Sequence, residues 1–306
     1  MKLSVLIPTY NYECCNLVRQ ILAQLPEDGE VIVGDDCSTY RIVSGRLKEM
    51  EDPPRFRVIR PEHNLGRAAI RNALAYEAKG DWLLFIDADA EVKSPTFIAD
   101  YLAATEEDRP STTTDDGQSS LVYVVCGGTG NAPRCPRPAA RLRYDYEVAA
   151  ERRLTLEHRR RNPYAQFTTF NFLIRRTLFL SVKFDERCKE YGHEDTQFGL
   201  ELKQRSIAIK HIDNKLMHMG LEDAEVYLEK TETALRSLAS MDLAQRKHVR
   251  VSALALRLER WHLLWIVRKL FKLTKPLLRY NLLGYYPSLT LFAFYKLGYY
   301  AQLSKS

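Results

Sequence analysis

No run of about eighteen apolar residues, the length a membrane-spanning helix needs, occurs in this chain of 306 residues. The opening KLSVLIPTYN turns polar too soon to be a secretion signal, so the catalytic part is expected in the cytosol. Cysteine is scarce and unpatterned. Cys14, Cys15, Cys37, Cys126, Cys135 and Cys188 form no CxxC and no regular framework, which favours reduced thiols over disulfides or a zinc site. Internal repeats and low-complexity linkers are lacking as well, so no domain boundary is read before about residue 240. Acidic residues nearly vanish beyond that point: from Met241 to Ser306 twelve Lys and Arg face only Asp242 and Glu259, whereas the first 240 residues hold 33 basic and 37 acidic side chains. The chain is therefore read as a domain over 1–240 and a basic, aromatic, helical extension over 241–306.

What is present is an alternation of strand-length apolar runs with helical patterns. LSVLIP (3 to 8), EVIVGD (30 to 35), FRVIR (56 to 60) and DWLLFID (81 to 87) are rich in Val, Ile and Phe. Between the last two, Ile70, Ala73, Leu74 and Glu77 mark one helix face from Gly66 to Lys79, which Gly80 is expected to close. Strand, helix, strand repeated in this way predicts right-handed crossovers, hence an α/β fold with a mostly parallel central sheet and helices on both faces. Ligands then belong at the carboxyl ends of the strands, where PTYN, GDDCS and DAD stand. Residues 105 to 120 have no periodicity and read as a surface loop, and LVYVVCGG (121 to 128) reads as a further strand.

The acids of LLFIDADAE pose a physical question. In a strand, residues i and i+2 point to the same side, so Asp87 and Asp89 are expected to face one way and to repel each other unless a cation lies between them. A divalent metal is the first candidate, and a solvated strand end or a helix cap is the plain alternative. Glu194 and Asp195 form a second acid pair, placed by the helical face of Asp195, Phe198, Gly199 and Leu202 in the first turn of a helix. There they could serve merely as dipole partners.

Taken together, SVLIPTYN, VIVGDDCS, NLGRAAIRN, FIDADAE and YGHEDTQFG resemble, in order and spacing, the family 2 glycosyltransferases with the GT-A nucleotide-sugar fold, over roughly residues 1 to 240. Cys37 stands where that family usually has Gly and Tyr40 where an acid is frequent, and no QxxRW motif of processive synthases follows. The resemblance implies an inverting transferase that uses Mg²⁺ or Mn²⁺ and a nucleotide sugar, UDP-linked by preference. It implies Asp89 as the direct metal ligand and Asp87, beside Ala88, as the acid facing the ribose or a metal-bound water. Pro8, Thr9, Tyr10 and Asn11 line the donor, Asp36 accepts the base-edge N–H of uracil, and Arg71 lies against the nucleotide. Asp35 is left to turn chemistry and Arg67 to a solvated helix face. Asp195 is implied as the base that deprotonates the acceptor hydroxyl, with Glu194 orienting the acceptor. His218, on a loop after a predicted strand, is the second metal ligand, whereas His193 and His211 are read as structural.

The tail calls for a separate reading. Continued as one helix from Arg257, it places Arg268, Lys272 and Lys275 on one face and Leu263, Ile266, Leu270 and Leu273 on the other, with Trp261 and Trp265 at the flank and the charge-free YNLLGYYPSLTLFAFY (280 to 295) following. This suits an in-plane helix on the inner face of the cell membrane, and almost equally a helical extension that folds on the preceding domain or pairs subunits. Nucleic acid is not an expected partner, since no recognition motif organises the basic residues. The resulting expectation is transfer of a sugar to a glycan or lipid-linked acceptor in cell-surface polysaccharide synthesis. The competing classes are a nucleotidyltransferase, which would release pyrophosphate, and a noncatalytic membrane-bound glycan or nucleotide-sugar binder, which would need no base.

Overall fold

The computed structural model describes residues 3–106, 123–186, 194–247 and 249–303. The expected loop 105 to 120 beyond Glu106, the first two residues of the expected strand 121 to 128, Cys188 and His193 lie outside that set. The first unit, drawn from Met1–Gly130, Arg153–Lys189 and Glu194–Gly220, opens with β1 (Leu3–Thr9), α1 (Cys15–Leu22), β2 (Glu30–Asp35), α2 (Arg41–Glu49), β3 (Phe56–Ile59), α3 (Arg67–Glu77) and β4 (Trp82–Ile86). The chain continues through β5 (Ala90–Glu91), α4 (Phe97–Glu106), β6 (Val124–Cys126), β7 (Thr129–Asn131), α5 (Arg141–Arg153), α6 (Leu156–Arg161), β8 (Asn171–Arg175), α7 (Arg176–Val182), α8 (Glu194–Gln204), β9 (Ile209–His211) and β10 (Leu216–His218). Seven strands pair in the order β3-β2-β1-β4-β8-β6-β9. The first four are parallel, and β8 runs against both of its neighbours. A small sheet, β5-β10-β7, stands beside it.

Side chains of period two fill both faces of the main sheet, which is why its strands read as continuous apolar runs. Val5, Ile7, Val31, Val33, Leu84 and Ile86 pack with α1, α2 and α4, while Leu6, Ile32, Leu83 and Phe85 pack with α3, α7 and α8. Phe85 stacks on Phe172 of β8 at 4.9 Å, and Phe184 stacks on Phe198 of α8 at 4.5 Å, so an aromatic layer anchors the helix that carries Glu194 and Asp195.

Two local expectations change. Helix α3 ends at Ala78 in extended conformation, and Gly80 does not cap it. A Cβ on Gly80 would lie 2.6 Å from the backbone nitrogen of Ser4, so that glycine is required by its close approach to β1. Nor does strand periodicity reach the DxD acids. β4 stops at Ile86 and residues 88 and 89 form a turn, so Asp87 and Asp89 need not point alike.

The second unit, drawn from Asn131–Arg152 and Leu221–Ser306, contains α5 followed by α9 (Ala224–Ser240), α10 (Leu243–Arg246), α11 (Arg250–Arg260), α12 (Leu264–Leu282) and α13 (Leu289–Leu303). Leu142, Leu228, Phe271, Leu278, Phe292 and Tyr295 form its core. α12 and α13 approach closely at Gly298, where a Cβ would lie 2.4 Å from the Phe271 ring. The tail is not one continuous helix. α11 ends at Arg260 and His262 turns left-handed at φ 56°, so angles projected across that point from Arg257 do not hold.

Candidate active site

The parallel register sets the carboxyl ends of β1 and β2 side by side, Thr9 opposite Asp35. Thr9 is buried and its hydroxyl donates to the Tyr12 carbonyl at 2.7 Å, Pro8 is half-buried, and Tyr10 is exposed. Asn11 takes a left-handed φ of 55°, which Asn tolerates. Its side-chain oxygen accepts the Thr39 and Tyr40 amides at 2.7 and 3.3 Å, fastening the start of α2 to the end of β1. Asp36 is buried, and its two carboxylate oxygens accept the amides of Leu65 and Gly66 at 2.7 and 2.9 Å. Each oxygen keeps a second lone pair. Asp35, also buried, accepts the Ser38 amide at 2.9 Å and pairs with Arg60 at 3.1 Å, in line with a turn role.

The DxD acids diverge, and each meets its own nitrogen partner. Asp87 pairs through one oxygen with Arg71, a buried side chain whose Nε has no hydrogen-bond partner among the described residues. Its other oxygen lies 3.6 Å from the Arg67 guanidinium. Asp89, on the far side of the nearly buried Ala88, stands 3.1 Å from Nε2 of His218, a buried ring edge-on to Phe170. The Met219 amide donates to the Asp89 carbonyl at 2.8 Å, and a Cβ on Gly220 would come within 2.2 Å of Asp89 Oδ2. The loop after β10 is thereby held against Asp89. Tyr12 faces the same acid: burial first, then the Asp89 charge, raises its phenol above the ordinary value.

The second acid pair is joined to the first through Arg67, whose Nε donates to Glu194 Oε1 at 2.6 Å. Arg67 thus spans Asp87 and Glu194 while its side chain stays exposed at 45%, so the solvated helix face read from the sequence also carries ion pairs to carboxylates of two remote segments. Burial would raise the Glu194 carboxyl, but Arg67 and Arg71 outweigh it and hold Glu194 below the usual range. Asp195 goes the other way. Burial, then the neighbouring Glu194 charge, pushes its carboxyl up to about 6, against the pull of the Thr169 hydroxyl, which donates to Oδ1 at 2.8 Å. His211 is structural: it is buried, hydrogen-bonded to the Pro163 carbonyl at 3.0 Å, and lowered in pKa first by that burial.

All the acids and His218 singled out from the sequence therefore lie in the first unit, around the carboxyl ends of β1, β2 and β4. Arg67, Thr169, Tyr12 and Gly220 were not foreseen. Of these only Arg67 had a local signal, one turn before Arg71 on the same helix face.

Residues 4–120 match the family model described as Glycosyl transferase family 2. An uncharacterized glycosyltransferase of Haemophilus influenzae is 42% identical over 89 residues, 28% of this chain and 29% of that protein. The poly(ribitol-phosphate) beta-N-acetylglucosaminyltransferase TarS of Staphylococcus aureus is 31% identical over 114 residues, 35% of this chain and 19% of TarS. The matched stretch thus spans less than a third of either relative's length. Among solved structures, TarS 1-349 in complex with UDP-GlcNAc superposes with a TM-score of 0.51 at 20% identity, covering 81% of this chain and 69% of that one. The mannosyltransferase PcManGT of Pyrobaculum calidifontis, in complex with GDP-Man and Mn²⁺, superposes with 0.52 at 16% identity, covering 78% and 63%. Residues 4–120 are thus similar to the family 2 glycosyltransferases, and the likeness to solved structures places the chain in the GT-A fold.

Proposed function

We propose that the chain is an inverting, metal-dependent glycosyltransferase that moves a sugar from a nucleotide sugar, a UDP-sugar by preference, to a hydroxyl of a glycan or lipid-linked sugar in cell-surface polysaccharide synthesis. The carrying observation is Asp195, a carboxylate pushed up to about 6 and oriented by Thr169, linked through Glu194 and Arg67 to the DxD acid Asp87. A group with that pKa is ionised at neutral pH yet basic enough to take a proton in the transition state.

Asp89 and His218 suit a divalent ion. Their oxygen and nitrogen lie 3.1 Å apart, within hydrogen-bond reach of each other, and are of the donor types that Mg²⁺ or Mn²⁺ would take. Among the described residues no group of three or more His, Cys, Asp or Glu side chains surrounds a common point, so Asp89 and His218 would share Mg²⁺ or Mn²⁺ with phosphate oxygens of the donor. When bound, such an ion neutralises the charge that develops on the diphosphate.

The remaining chemistry belongs to the chain. Asp195 accepts the proton of the acceptor hydroxyl while that oxygen bonds to the anomeric carbon, and the bond from that carbon to the diphosphate breaks on the opposite face, inverting the centre. Glu194, held ionised by Arg67, is placed to orient the acceptor. Asp36, Tyr10 and the segment Pro8 to Asn11 receive the nucleoside, and Arg71 fixes Asp87 beside it. The first unit carries this chemistry, and the tail 241–306 of the second supplies a peripheral contact with the inner face of the cell membrane. A panel of UDP, GDP and dTDP sugars assayed for nucleotide release with Mn²⁺ and Mg²⁺ tests the reading. Turnover of one or more of them supports it, whereas pyrophosphate release from a nucleoside triphosphate, or donor binding without turnover in the presence of acceptor glycans, overturns it.

A further inference from the structure

α12 is apolar on two opposite faces. Counting from Leu264 at about 100° per residue, the buried Leu264, Phe271, Leu278 and Leu282 fall within about 40° of one another, while Ile266, Leu270, Leu273, Leu277 and Tyr280 fall between about 160° and 240°. The first set closes the core of the second unit. The second is exposed, Leu273 at 81%, Leu277 at 69% and Tyr280 at 81%. Its ends are aromatic: Trp261 and Trp265 at the start, Tyr285 and Tyr286 after the helix, all exposed. A contiguous exposed stripe of this kind marks an interaction site.

The charges beside the stripe have one sign. Lys269, near 140°, borders it and lies 5.0 Å over the Trp265 ring, the exposed Lys272 stands near 80° between the two faces, and Arg257 lies over Trp261 at 4.8 Å. No Asp or Glu occurs in the sequence from Trp261 to Ser306. The nearest basic side chains on the core-facing flank are already engaged: Arg279 with Glu225 and Glu232 at 3.6 and 3.7 Å, Arg268 with the Ala301 carbonyl at 2.8 Å. Lysines with aliphatic stems on the rim, Trp and Tyr at both ends and Leu in the middle of a roughly 28 Å helix suit the headgroup boundary of an anionic bilayer.

We infer that the outer face of α12, from Ile266 to Tyr280 and continuing through Tyr285 and Tyr286, is a docking surface for anionic lipid on which the helix lies in plane. The inference rests on reading the tail as a membrane contact and is independent of the transfer chemistry. It also divides the charge-free segment 280 to 295, whose first part is exposed but whose Phe292 and Tyr295 are core. Truncation would remove that core, so point substitutions on exposed residues are the suitable probe.

The full chain would be mixed with phosphatidylcholine vesicles with and without phosphatidylglycerol, following co-sedimentation and tryptophan emission. The protein has three Trp, of which Trp82 is buried, so a blue shift reports Trp261 and Trp265. Expected are binding to the anionic vesicles only, weakening with salt, and a loss of at least tenfold in partitioning for Leu273→Glu/Leu277→Glu at unchanged Tm. Lys269→Glu/Lys272→Glu should reduce the preference for anionic lipid by several-fold. If the wild-type chain ignores anionic vesicles, the membrane reading of the tail falls together with the inference. If it binds and the Leu273→Glu/Leu277→Glu variant binds equally, only the assignment to this face falls. A wild-type dimer that the same variant makes monomeric, with no vesicle binding, would assign the stripe to a second copy and overturn the proposal.

Discussion

The two acid pairs of the first unit solve one electrostatic problem in the same way. In each, one carboxylate is held by arginine and the other meets a weaker partner. Asp87 is held by Arg71 and Arg67, whereas Asp89 faces the titratable His218; Glu194 is held by Arg67, whereas Asp195 accepts from the Thr169 hydroxyl and keeps a carboxyl pushed up to about 6. Each acid is thereby given its own partner, and in the second pair the arginine-held member tunes its neighbour: the Glu194 charge is the second cause of the raised Asp195 pKa. Arg67 belongs to both pairs, so the two pairs share one cation.

The strongest way to break this symmetry is at the histidine-facing acid of the first pair, proposed to hold the donor. Asp89→Ala should reduce transfer to background and abolish metal-dependent donor binding, since it takes the carboxylate from beside His218, while thermal unfolding stays near that of the wild type because Asp89 lies in a turn outside the core. Isothermal titration of UDP-sugar with and without Mn²⁺ measures both parts. Unchanged metal dependence would remove Asp89 from the site.

The corresponding change in the second pair, proposed to serve the acceptor, is Asp195→Asn, which keeps size and a hydrogen-bond acceptor for Thr169 but removes basicity. Transfer should fall by ~10²–10⁴-fold with donor affinity retained. Loss of donor affinity in step with activity would give Asp195 a structural role.

Legibility follows the same division. The first four strands and the positions of the two acid pairs could be read because each rests on a short local pattern, whereas the roles given to the acids and to His218 rest on the family resemblance. Arg67 could not, because its partner Glu194 lies 127 positions away, and a lone arginine in the first turn of a helix looks solvated until the fold brings that carboxylate to it. Thr169, 26 positions from Asp195, was hidden for the same reason. The direction of β8 was likewise invisible, since NFLIR is equally apolar read either way. Strand period fails at 87 to 89 because nothing local marks where β4 stops, and the tail reads as one helix because no Pro or Gly announces the break at 261 to 263.

Arg67 sharpens the comparison most directly. Its charge lowers both Glu194 and Asp195, so Arg67→Met should raise both carboxyls and move the acid limb of the pH–kcat profile upward from about 6. A one-unit rise would cost roughly fivefold at pH 6 and little at pH 8, and Arg67→Lys should restore most of it. A loss that is equal at all pH values would mean that Arg67 only holds α3 and α8 together.

The smallest effect separates charge from packing at Asp195 itself. In the folded chain this carboxyl keeps its proton up to about 6, against an ordinary 3.8. Between those values the folded state binds more protons than the unfolded one, so the Asp195 contribution to stability falls as pH rises through the window and stays reduced above it. The amide of the Asp195→Asn variant has no such dependence, and the other titrating groups are common to both chains. The Tm of that variant relative to wild type should therefore be near zero below about pH 4, grow between about pH 4 and 6, and level off above about pH 6 at a gain on the order of 2–4 °C. Differential scanning calorimetry across pH reads this directly. A variant destabilised equally at every pH would show that Asp195 serves the fold through Thr169 and that its raised pKa carries no stored cost.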